Sequence, residues 1–468
     1  MLGLYKKIIF SILLLGLFAH SSFGQLSVRL SLHNSEFKQA YFCSIYGQRL
    51  NVIGAQKFSG NTIEFKFVSS IPKGMYRIFM TDSAFIDIVV SRDAEIVIDT
   101  YYPDLTDSMK VLTGEDNKIY YQYLQYKNKE LIKLNKVIIL IKPESQKKTN
   151  LQTDERISFV KGCITYDLQQ YAESLINRDT TLFVSKVIKA MLLPNLNMYL
   201  LKHPDGKVSN NDIEYLIVHF FDNIDFADSS FLRTEFLYRT IKYYIEKIAL
   251  PRNVTGFNIA NDMILGKAKA NEKVYDYCLG LLIDIYENTQ LEDVFVKLYD
   301  DYLTKKPTII PREKYVTIAN KINIIKSLKQ GIIAPDIFGK DTTGNEQKLS
   351  EVKSSLLLLL LWTSDSKHSE ETIMQLSDLY KKYKTEGFEI YAVSLDTAET
   401  QWKTVLRKLK PGWINVINII GMNNTVSKFY NTWSLPGLYL IDKKHILLSK
   451  PMNVDYLKKQ LEAVYNKK

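Results

Sequence analysis

The chain has 468 residues, 46% hydrophobic and 24% charged, too apolar for a disordered protein and long enough for several globular domains. Its formal net charge is +10, but the lysines are dispersed and interleaved with acids. That pattern describes a solvated basic surface and argues against nucleic acid as a partner, which would need a clustered stripe.

The first 24 residues read as a signal peptide. Lys6 and Lys7 form a positive start, Ile8 to Ala19 an apolar run, and Ser22-Phe23-Gly24 a small-residue cleavage site, leaving Gln25 as the mature N-terminus. An uncleaved anchor is the competing reading, but the run falls short of the ~20 residues a span needs. No Cys follows it to carry a lipid, and no later segment approaches transmembrane length. The expected location is the periplasm or cell exterior, with no transmembrane segment in the mature chain.

Residues 25–112 alternate with period two, as a strand does when one face is buried. LSVRLSL puts Leu26, Val28, Leu30 and Leu32 on one face, and TIEFKFV does the same with Ile63, Phe65 and Phe67. GMYRIFM, FIDIVV and AEIVIDT follow, with turn-like SGN and IPKG between the earlier strands. An antiparallel sheet or sandwich is expected.

Residues 113–330 change to a helical period and should form eight or nine helices, with breaks at His203–Gly206 and Ala249–Asn253. One stripe is Ile157, Val160, Ile164, Leu168 and Tyr171; another is Leu237, Ile241, Tyr244/Ile245 and Ile248. The tyrosines of IYYQYLQY are expected to pack between helices, with an aromatic carbohydrate-binding strip as the alternative. Of the three cysteines, Cys278 lies on the apolar stripe Val274/Cys278/Leu281/Ile285, which suits a buried thiol. Pairing of Cys163 with Cys278 is open in an oxidising compartment, and Cys43 has no CxxC neighbour.

Residues 331–468 form the last domain. A short hairpin leads into the continuous apolar strand Leu356–Trp362. A helix to about Tyr380, strand Phe388–Asp396, helix Gln401–Leu409, strand WINVINI, a short helix at Ser427–Tyr430, strands LYLID and HILLSK and a final helix from Val454 follow. Such alternation describes an α/β sheet covered on both faces.

Three tracts here resemble the thioredoxin-like proteins of the cytochrome-maturation and alkyl-peroxidase-related branch. They are APDIFGKDTTGNEQKLSEVKSS, FEIYAVSLDTAETQW and YNTWSLPGLYLID. The β-domain resembles those found ahead of such domains in exported proteins of the Bacteroidota type. The resemblance implies a multidomain chain: an N-terminal antiparallel β-domain, an α-helical middle domain and a C-terminal α/β thioredoxin-like domain. It implies that Pro436 is the family's cis-proline. It also places Ser366 and Ser369 where the family keeps the two cysteines of CxxC, so Ser366-Lys367-His368-Ser369 replaces the motif.

Thiol exchange needs a thiolate and passes through a sulfur–sulfur bond, which a serine hydroxyl cannot form. No catalytic residue is therefore assigned. Ser364, Asp365 and Ser366 are good N-cap residues, and Glu370 and Glu371 suit a first helical turn. Ser-x-x-Lys (Ser364–Lys367) and the pair Ser366/His368 lack the companion motifs of serine hydrolases. The histidines show no metal-ligand spacing, and neither metal nor other cofactor is expected.

The favoured function is binding or scaffolding of another exported protein or peptide. Its groove contacts are sought among Trp362, Asp365, His368, Trp433, Leu435 and Pro436. A thiol-disulfide oxidoreductase acting through another cysteine and a surface glycan- or peptide-binding protein are the alternatives.

Overall fold

The computed structural model describes residues 26–141, 151–194, 212–418, 426, 429–433 and 435–465. The expected signal peptide and the break at His203–Gly206 lie outside these residues. The chain divides into two compact units. One runs to Arg252 and includes Asp262–Tyr277; the other is Asn253–Asn261 with Cys278–Lys468. The last helices of the helical stretch thus belong to the unit of the C-terminal sheet.

The first unit opens with strands β1 (Leu26–His33), β2 (Gln39–Tyr46), β3 (Arg49–Lys57) and β4 (Thr62–Phe67), then β5 (Gly74–Thr81), β6 (Ala84–Val90), β7 (Glu95–Tyr101) and β8 (Lys110–Thr113). They build two four-stranded sheets, β4-β1-β7-β8 and β3-β2-β5-β6. Every pair is antiparallel except β1 with β7, which is parallel. A parallel pair needs a long crossover, and here the intervening chain supplies it by building the facing sheet.

The alternation in sequence is what closes this sandwich. Val28, Leu30, Ile63 and Phe65 are buried, as are Phe42 and Ile78 of the opposite sheet. The Phe42 ring meets Phe65 at 5.3 Å and Tyr76 at 5.5 Å. Each such side chain contributes about 1.5–3 kcal/mol by leaving water. The β6 edge is sealed by a side chain: Asn117 accepts from Val89 N and donates to Val89 O, both at 2.8 Å.

Nine α-helices follow among the described residues. They are α1 (Glu115–Ile141), α2 (Leu151–Ile176), α3 (Phe183–Ala190), α4 (Asp212–His219) and α5 (Phe236–Tyr243), then α6 (Val254–Ala268), α7 (Glu272–Tyr286), α8 (Glu292–Asp301) and α9 (Arg312–Ser327). Both helical stripes face inward, with Leu237, Ile241, Tyr244 and Ile245 buried and the α2 stripe half-buried. Tyr120, Tyr121 and Tyr123 are buried, and Tyr126 stacks on Tyr171 at 4.0 Å. These tyrosines pack between elements.

The second unit carries β9 (Phe338–Lys340), β10 (Glu346–Lys348), β11 (Leu356–Trp362), α10 (Lys367–Tyr383), β12 (Phe388–Ser394) and α11 (Glu399–Leu409). It ends with β13 (Ile414–Ile417), β14 (Gly437–Asp442), β15 (Leu447–Ser449) and α12 (Val454–Tyr465). Val426 and Phe429 are helical, while Ser427 and Lys428 of the expected short helix lie outside the described residues.

The sheet order is β10-β9-β13-β12-β11-β14-β15. β11 runs parallel to β12 and antiparallel to β14. All seven β11 residues are buried because both faces are covered. Leu358, Leu360 and Trp362 pack with α10, α11 and α12, while Leu357, Leu359 and Leu361 pack with Val426, Tyr430 and Leu328. Gly387, at φ +91°, ends the α10–β12 turn, where a Cβ would come within 2.6 Å of the Ser355 hydroxyl.

Candidate functional site

Two loops leave the same end of adjacent strands. The β11–β14 register runs to Leu361 opposite Gly437, so the chain after Trp362 and the chain before Gly437 emerge together. They are the two loops expected to wall a groove.

The first wall is held by its own helix cap and by the end of the neighbouring strand β12. Ser366 is the N-cap of α10, and its hydroxyl accepts from Ser369 N at 3.2 Å. That bond satisfies one of the free N–H groups at the helix start. The acid ending the β12 tract latches the loop: Ser364 N and Ser364 Oγ donate to Asp396 Oδ1 at 3.0 and 2.9 Å. Ser394 Oγ donates to Asp396 Oδ2 at 2.6 Å.

Ser369 is completely buried, and its hydroxyl finds no hydrogen-bond partner among the described residues. Asp365, Lys367 and His368 are exposed. Lys367 Nζ and His368 Nδ1 lie 3.8 and 3.9 Å from the Glu371 carboxylate. Among the described residues neither bonds to Ser366, so a serine nucleophile with its base is not assembled.

The second wall is held from elsewhere in the chain. The Leu435–Pro436 peptide is cis. Pro436 is buried, and Trp433 and Leu435 are half-buried. Gln290, in the turn between α7 and α8, donates its side-chain amide to Pro436 O at 2.6 Å. Glu292, the first residue of α8, accepts from Asn431 Nδ2 and from Lys450 Nζ, both at 2.6 Å. Asn431 Oδ1 accepts from Trp433 N at 3.1 Å. Lys321 of α9 lies 5.1 Å from the Trp433 ring centroid.

One expected groove contact is corrected. Trp362 is wholly buried in the core with Leu358 and Leu360, because period-two parity turns it onto the helix-covered face. Asp396, Gln290, Glu292 and Lys321 were not singled out by sequence reasoning. Asp396 had a signal, as the acid closing FEIYAVSLD; the other three lie more than 100 residues before the loop they touch and carry none.

All three thiols are free. Cys278 is packed inside α7's apolar face, while Cys163 lies on the exposed side of α2. Burial pushes the Cys43 thiol up to about 11 and the Cys278 thiol up to about 12. Neither is a ready source of thiolate. Among the described residues no three His, Cys, Asp or Glu side chains converge as a metal site would require. No helix among them is long and apolar enough to cross a membrane.

Residues 331–450 match the model of the AhpC/TSA family. The chain is similar to the thiol-disulfide oxidoreductase ResA of Geobacillus kaustophilus, 26% identical over 137 residues, covering 29% of this chain and 77% of that protein. ResA of Bacillus cereus is 26% identical over 142 residues, covering 30% and 80%. Among solved structures, a thioredoxin-like protein from Bacteroides caccae aligns at 18% identity with a TM-score of 0.42, over 55% of this chain and 94% of that one. The thioredoxin domain of a thiol-disulfide oxidoreductase from Bacteroides vulgatus aligns at 26% identity with a TM-score of 0.28, over 29% and 98%. The part of the chain that matches the AhpC/TSA family model, residues 331–450, is the part that carries the sheet around β11.

Proposed function

We propose that this is an exported protein whose thioredoxin-like domain binds another exported protein or peptide and does not exchange disulfides. The observation that carries the reading is the start of α10. Ser366 and Ser369 occupy the two positions where the family resemblance expects sulfur, and the Ser366 hydroxyl is already engaged as a helix cap. A hydroxyl there offers no thiolate for attack and no second sulfur for release. The remaining groove contacts are Asp365, His368, Trp433, Leu435 and Pro436, set around that cap. Export rests on the pattern of residues 1–24; mass spectrometry of the mature protein should find a chain beginning at Gln25.

The second reading is a thiol-disulfide oxidoreductase acting through another cysteine, which the names of the curated relatives favour. Cys163 is the one exposed thiol it could use. A glycan-binding strip draws less support, since Tyr120, Tyr121 and Tyr123 are buried. The test restores the sulfurs: Ser366→Cys with Ser369→Cys should create an intramolecular disulfide couple that the natural chain lacks. A double variant that folds and never forms the bond contradicts the assignment of these positions.

A further inference from the structure

We infer that the Pro436 wall already holds a resident occupant: this chain's own segment from Glu287 to Glu292, with Lys321 beside it, which controls access to Trp433. Pro436 O lies one residue ahead of the β11–β14 ladder, which reaches only to Leu361 opposite Gly437. A carbonyl at that place is open to the N–H of an extended chain laid along the groove. The Gln290 amide takes it instead, at 2.6 Å.

Glu292 uses both carboxylate oxygens, one on Asn431 and one on Lys450. Through Asn431 it fixes the backbone of Trp433. Lys321 is only 5% exposed. Its ammonium is held by Glu287 Oε1 at 3.1 Å and Asn288 Oδ1 at 3.2 Å while it faces the Trp433 ring. A desolvated cation on a ring is an attractive contact, so the pair covers the aromatic as well as orienting it. An external partner therefore competes with Gln290 and Lys321 for the same wall. This rests on reading the groove as the domain's binding surface.

Access to Trp433 in the full chain is measurable by acrylamide quenching of tryptophan fluorescence. Trp362, Trp402 and Trp413 are buried, so the quenched signal reports Trp433. Gln290→Ala with Glu292→Gln, and separately Lys321→Met, should raise the quenching constant about twofold by freeing the segment. The rise should vanish in a Trp433→Phe background, and Lys321→Arg should keep the natural value. Gln290→Ala alone, in a turn, gives a smaller rise should the double variant fail to fold. An unchanged quenching constant in the folded Gln290→Ala and Lys321→Met proteins overturns the inference. Disulfide reduction by the natural protein would sink the redox-inactive reading and leave this result untouched.

Discussion

The two walls of the groove are built on different principles. The Ser366 wall is the more local: its cap joins residues three apart and its latch to Asp396 spans 32 residues. The Pro436 wall is tertiary: its bonds to Gln290 and Glu292 span 146 and 139 residues. A local cap survives most changes elsewhere in the protein, whereas a tertiary clamp stands or falls with the packing of the segment that supplies it. The loop where family resemblance expects chemistry is therefore the more locally held one, and the loop clamped from distant sequence is the other.

Glu292→Ala should have the largest effect. It leaves Lys450 and Asn431 without their carboxylate in a mostly buried setting and should cost about 2–4 kcal/mol. All four tryptophans lie in the C-terminal unit, so their fluorescence follows its denaturation. A cost no larger than that of removing the Ser366 cap would contradict the tertiary clamp.

Asp116, in the other unit, is a buried acid beside another acid, Asp93. Desolvation, reinforced by Asp93, lifts its carboxyl from 3.8 to about 6. The folded state then holds the proton more tightly than the unfolded state. Stability from this group is full below pH ~4, falls as pH rises through ~6 and stays low above. Asp116→Asn should stabilise the N-terminal unit by about 1–3 kcal/mol at pH 7, with the gain disappearing below pH ~4. Circular dichroism melts across that range would show a pH-independent gain if the acid were not the cause.

On the Ser366 wall, Ser366→Ala should cost about 1 kcal/mol, the usual worth of an N-cap. Ser369→Ala should be the smallest effect, neutral or stabilising by up to ~1 kcal/mol, since it removes a buried hydroxyl that makes no bond among the described residues. Urea denaturation of the pair separates them; a large loss from Ser369→Ala would mean that its hydroxyl has a partner.

Much of this architecture was legible because its causes are local. Period-two alternation marked β1, β4, β5, β6 and β7, and an unbroken apolar run marked β11 as a strand covered on both faces. β3 went unseen because nearly all of its length is exposed and no alternation is imposed on it. The parallel pairing of β1 with β7 was hidden, since alternation is the same for either direction. The cap at Ser366 could be read from its neighbours, and parity with Leu358 and Leu360 held the clue that Trp362 points inward. Gln290, Glu292 and Lys321 are ordinary polar residues of helices and turns, and only the folded contact gives them a role.

Insulin reduction in the presence of dithiothreitol reads directly whether the thioredoxin-like domain carries a dithiol–disulfide couple, which the proposed function denies it. The mature natural protein should precipitate insulin no faster than the reagent alone. A rate well above that blank, abolished by Cys163→Ser or Cys278→Ser, would mean that the protein exchanges disulfides through that cysteine.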